Sequence, residues 1–138
     1  MSNAKKINKI AGITILIFLA GGVLFALYMR YQLFHHYAFT SGKIREITTA
    51  KARGAYTILY DYRVNNSLHH GEQEFDYCPG WGRKRIDSFL VGKSFPVVYA
   101  VDWPSADNML IKQERAALFN YKLPDSVLYY DSVLTCQQ

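Results

Sequence analysis

Residues 10–29, IAGITILIFLAGGVLFALYM, carry no charge. A helix of that length covers about 30 Å, the hydrocarbon thickness of a bilayer. A core helix of a water-soluble domain is seldom apolar all round for so long. A secretory signal has a shorter apolar core, followed by small residues at a cleavage site. Here Ala20, Gly21 and Gly22 lie inside the run. The stretch reads as a retained transmembrane anchor, with a cleaved signal as the competing reading. Gly22 and Ala26 form a small-xxx-small pair through which two copies of the helix could approach as a homo-oligomer. The plainer reading is ordinary glycine in a membrane helix.

The charge pattern gives the anchor a direction. Lys5, Lys6 and Lys9 precede it without any acidic residue and supply most of the net charge of +5. The other 13 basic residues meet all 11 acidic ones, so the rest of the chain is nearly neutral. The basic balance is therefore a topology signal. It predicts a cytoplasmic N-terminus and an extracytoplasmic C-terminal domain on a single-pass protein of the cell inner membrane. It also disfavours nucleic acid as a partner, because phosphate backbones need a basic surface.

The 138 residues divide into a cytoplasmic tail at 1–9, a transmembrane helix with an interfacial extension at 10–36, a β-rich ectodomain at 37–113, and a C-terminal helix and tail at 114–138. Tyr28, Tyr31, Phe34 and Tyr37 recur at helical spacing past the apolar run. They read as an aromatic belt at the headgroups, or as rings packed on the ectodomain. From Phe39 the period changes to two. A first strand is expected over 40–48 and a basic turn over 50–54. The clearest strand alternates Tyr56, Ile58, Tyr60, Tyr62 and Val64 with more polar residues. Asn65-Asn66-Ser67 is a turn by composition, and 68–77 returns antiparallel. A short helix is expected at 83–90, ended by Gly92. An apolar strand follows at 95–101, then a turn-rich loop at 102–108, a strand from Met109, a helix at 114–123 stopped by Pro124, and a tail. The expected fold is mainly β: one N-terminal transmembrane helix, then a small antiparallel sheet or barrel-like domain with one or two short helices.

Several residues carry a family resemblance over about half the chain. They are Gly42 and Ile44; Tyr56, Ile58, Tyr60 and Tyr62; Gly71 and Phe75; and the closing series Val91-Gly92-Lys93, Val97-Val98-Tyr99, Asp102, Pro104, Asn108 and Leu110. In this order they resemble the bacterial membrane proteins of the domain of unknown function 3592 family. The resemblance implies a small β domain beside a membrane helix and implies no activity. The chain departs from that pattern in two places. Trp103 interrupts the Asp-Pro turn, and no second membrane helix follows the domain.

The candidate chemistry is sparse. Trp81 with Arg83, Lys84 and Arg85 is the strongest binding patch, suited to an acidic protein surface, lipid phosphates or an anionic glycan; a solvated charge run beside an inward-packed indole is the alternative. Cys78 and Cys136 are a candidate disulfide in an oxidising compartment, against two unpaired thiols. Cys78 upstream of three cations is a weak candidate for a reactive thiol. His69 or His70 with Glu72, Glu74 or Asp76 could approach a metal, but adjacent histidines point to opposite faces of a strand. No cofactor, catalytic residue or metal is expected. The sequence points to a non-enzymatic interaction or structural module of the envelope, with an unknown protein partner. The alternative is recognition of an anionic lipid or glycan.

Overall fold

The computed structural model describes residues 2–49, 55–76 and 81–135 of the chain. Helix α1, Ser2–His35, runs directly into strand β1, Tyr37–Thr49, with His36 between them. Its segment Gly12–His35, 24 residues of mean hydropathy 2.3, is long and apolar enough to cross a membrane. Large apolar side chains along it stand exposed, Phe18 at 79%.

β1 is followed by β2 (Ala55–Val64) and β3 (Ser67–Asp76), then α2 (Arg83–Leu90), β4 (Ser94–Ala100) and β5 (Trp103–Met109). The antiparallel sheet has the order β3-β2-β1-β4-β5. Three hairpin-linked strands with the next returning beside the first make a Greek key. β1 serves two partners. Tyr37 to Lys43 pair with β4, and Gly42 to Thr49 pair with β2. Between Ile44 and Glu46 the register shifts, so the buried positions move from Gly42 and Ile44 to Ile47. One extra residue bends the strand and increases its twist, which lets the sheet curl. β3 and β5 then come together, and the Met109 amide donates to Gln73 Oε1 at 2.9 Å. The result is a nearly closed five-stranded Greek-key barrel, an architecture shared with OB-type folds.

Local sequence explains the turns. Asn65 and Asn66 both take positive φ, 49° and 67°, as a two-residue hairpin turn matched to strand twist requires. Gly92, at φ 80°, ends α2, and its amide donates to the Ile44 carbonyl at 2.8 Å.

The sequence expectations for 83–90 and the first four strands agree with these elements within a few residues. Three later ones need correction. The stretch 102–108, expected as a loop, is mostly β5, and the strand expected to begin at Met109 ends there; the alternation is hidden because its inward positions include Asp107. The helix expected at 114–123 is α3, Gln113–Ala117, followed by a turn with Asn120 at φ 52°. The expected tail contains α4, Asp125–Leu134. Ala116, Phe119, Leu123, Val127 and Leu134 belong to the same apolar core as the barrel. Gln113 fastens this segment: its side chain donates to the Tyr121 carbonyl and accepts from the Leu123 amide, while its own amide donates to Asp131.

In the aromatic series after the apolar run, the second half packs on the ectodomain. Tyr28 and Tyr31 are exposed. Phe34 stacks on Phe119 with ring centroids 5.1 Å apart, and the Tyr37 hydroxyl donates to the Phe119 carbonyl. The basic turn expected at 50–54, and both cysteines with their disulfide and thiol readings, lie outside the described residues.

Candidate functional site

α2 and the segment before it place the cationic patch. Ile86 and Leu90 are buried one turn apart, so they hold one face of α2 on the barrel and leave Arg83, Lys84 and Arg85 exposed. Trp81 is partly buried and meets Phe89 edge to face at 5.5 Å. The Arg85 guanidinium lies over the indole, 4.2 Å from its centroid. Arg83 donates to the Ile47 carbonyl at 3.1 Å and stands 3.6 Å from Asp87. The four residues predicted from sequence therefore divide: Arg83 and Lys84 line a groove beside β1, and Arg85 turns to Trp81, as residues two apart on a helix must. Of the two readings, an inward-packed indole describes Trp81 and a solvated run describes Lys84. The Arg85–Trp81 stack holds a cation in a fixed place, as a preformed anion-facing surface would require.

Beside it lies a surface groove of about 600 Å³, lined by Arg45, Ile47, Arg83, Lys84 and Val91 with Glu46, Asp87 and Ser88. Asp87 Oδ1 is turned inward without a hydrogen-bond partner. The groove has mixed charge and is open to solvent.

The position of this patch along the chain matters more than its composition. Arg83 is bonded to Ile47, ten residues beyond Tyr37, where β1 leaves the helix. At roughly 3.3 Å per residue this is about 30 Å of strand path. Arg83 thus meets the half of β1 remote from α1.

The barrel also contains a polar cluster that sequence reasoning passed over. Tyr60 and Tyr62 point inward from β2, and both hydroxyls contact the Asp107 carboxylate of β5, Tyr62 at 2.8 Å. Tyr62 also contacts the Pro104 carbonyl. Burial raises the Asp107 carboxyl above its usual range, against the lowering effect of the two hydroxyls and of His69. Burial, with the neighbouring carboxylate, also raises both tyrosines. Tyrosines held neutral in this way are poor nucleophiles; their chemistry here is to tie β2 to β5. The available signal was the Tyr alternation together with an acidic residue two positions before Met109.

The histidine pairs are separated as strand geometry requires. His69 stacks on Tyr62 at 5.4 Å, whereas His70 Nδ1 lies 2.6 Å from Asp61 Oδ1. Among the described residues, no three His, Cys, Asp or Glu side chains converge as a metal site would require. The outer side of the β2–β3 pair bears Asp61, Glu72, Glu74 and Asp76. In OB-type barrels a face of these strands binds oligonucleotides; here it is acidic. On α1, a Cβ at Gly21 or Gly22 would meet nothing within 4 Å, so the small-residue face is uncovered within this chain. No family model, curated protein or solved structure matches the chain.

Proposed function

We propose that the protein is a single-pass membrane protein whose barrel is a non-enzymatic docking module, held at the extracytoplasmic face of the inner membrane. The observation that carries this reading is the separation along β1. The apolar helix enters at one end, and Arg83 at the start of α2 is bonded to the other half. A patch so placed faces away from the bilayer that anchors it and towards whatever stands beyond. Its cations favour an acidic protein surface, and the fixed Arg85–Trp81 pair favours one defined partner geometry. The family resemblance read from Gly42, Gly71 and the Val91-Gly92-Lys93 series is compatible with such a module and supplies no activity. The acidic outer side of β2–β3 supports a role without nucleic acid.

The test is photocrosslinking in native membranes from a photoreactive residue at position 88, on the rim of the same groove, followed by mass spectrometry. A discrete crosslinked protein that disappears when Arg83, Lys84 and Arg85 are replaced by Ala supports the proposal. An unchanged crosslink in the triple variant, or none at all from position 88, counts against it. Binding of the parent chain, but not the triple variant, to an anionic glycan would favour the alternative ligand.

A further inference from the structure

The turn between β4 and β5 carries two large apolar side chains where a water-facing turn would ordinarily have polar ones. Val101 is 53% exposed and Trp103 49%. The turn is fixed to the end of α1, because the Val101 amide donates to the His36 carbonyl at 2.8 Å. From there the Trp103 ring reaches back along the helix to Phe25, edge to face with centroids 6.0 Å apart. Phe25 lies inside the apolar run, four residues before Met29, or about 6 Å along the axis.

We infer that this turn is seated in the headgroup boundary of a phospholipid bilayer, with Trp103 as the anchor that orients the barrel. The inference rests on reading α1 as a membrane anchor. If the apolar run crosses the hydrocarbon, a ring beside Phe25 cannot remain in bulk water. Indole, with a broad apolar body and one N–H donor, favours the interface. Asp102, between the two apolar residues, limits the depth, since a carboxylate does not enter hydrocarbon without a large cost. The occupant is the bilayer because the exposed turn is continuous with the exposed apolar surface of α1. The barrel is thus fixed at two points: the single-residue junction at His36 and this turn.

The test uses the full chain and a Trp103→Phe variant in phosphatidylcholine vesicles. The acyl chains are plain, brominated near the headgroup, or brominated near the chain end. Subtracting the variant's emission from the parent's isolates Trp103 without altering Trp81. The expected result is strong quenching of the Trp103 component by the shallow bromines, weaker quenching by the deep ones, and none of the Trp81 signal left in the variant. A Trp103 component equally bright in all three vesicles, in a chain that stays with them through alkaline carbonate, overturns this inference alone. A chain stripped off by carbonate overturns the anchor reading and this inference together. Protease resistance of the barrel in both proteins establishes that the variant is folded.

Discussion

Gly71 lies directly opposite Tyr60 in the β2–β3 pair, and the tyrosine side chain occupies the space a side chain at 71 would need. A Cβ there would stand 2.3 Å from Tyr60 Cε2 and 2.5 Å from Asp107 Oδ1. The missing side chain lets Tyr60 fold across the strand and reach Asp107. In an open strand, Gly to Ala is usually favourable because it restricts the unfolded chain. Gly71→Ala should instead cost about 1–3 kcal/mol, the usual range for overpacking. Chemical denaturation of the full chain in mild detergent reads this. Gly22→Ala, where a Cβ meets nothing, is the control and should leave the barrel transition unmoved.

The Asp107 cluster has an unusual pH dependence. The Tyr62 hydroxyl has one proton to give and two acceptors, the Pro104 carbonyl and Asp107 Oδ2. A proton on Oδ2 resolves the shortage: Asp107 donates to Tyr62, and Tyr62 donates to Pro104. Burial acts in the same direction by raising the carboxyl. Unfolded, the group titrates near about 3.9. Between that value and the raised folded one, the folded chain keeps a proton the unfolded chain has lost. The Asp107 contribution to stability is therefore fully present below the unfolded value and falls as pH rises. Asp107→Asn mimics the protonated form and should flatten this part of the profile. Asp107→Ala takes the acceptor from the Tyr60 hydroxyl, while Tyr62 keeps the Pro104 carbonyl; it should cost about 1–3 kcal/mol at acid pH and less as pH rises. Melting of the three proteins across a pH series decides it; identical pH slopes for parent and Asn variant would refute the argument.

At the alkaline end the tyrosines govern. Desolvation first, then Asp107, raises Tyr60 and Tyr62 above the ordinary value of 10.0. Raised groups contribute stability that is complete below the unfolded value and lost as pH climbs past it. Ultraviolet titration of tyrosine ionisation should show a late step coincident with loss of β-sheet circular dichroism. Tyr60→Phe with Tyr62→Phe should remove that late step.

The sequence showed the elements that depend on local pattern and concealed those that depend on distant partners. Tyr56 to Val64 alternate strictly, so β2 was legible from its own residues. Asn65-Asn66 and Gly92 mark backbone conformations that few other residues accept. β5 was hidden because Asp107 occupies an inward, half-buried position, and its hydrogen-bond partners Tyr60 and Tyr62 lie more than forty residues earlier. The Trp81–Arg85 segment was legible as composition, but the helix at 83–90 sets Arg85 on Trp81 and turns Arg83 to Ile47. Its distance from the anchor was not legible, because that follows from which half of β1 receives α2.

The segment after Pro124 offers the clearest contrast between composition and packing. Two apolar patches divided by polar residues resemble a frayed tail. In α4, however, Val127 and Leu134 enter the core, and Tyr130 meets Phe89 at 4.9 Å and Phe95 at 5.1 Å. Tyr129, next along the helix, is 59% exposed. Leu134, at 2% exposure, should therefore behave as a core residue although it lies within five positions of the C-terminus. Leu134→Ala should cost about 2–5 kcal/mol, the range for truncating a buried leucine. Tyr129→Ala should stay within about 0.5 kcal/mol, as exposed substitutions do. If α4 were a tail resting on the barrel, both variants would unfold at the parent's denaturant midpoint. If it is part of the core, Leu134→Ala alone shifts the midpoint, and the whole barrel unfolds with it in one transition.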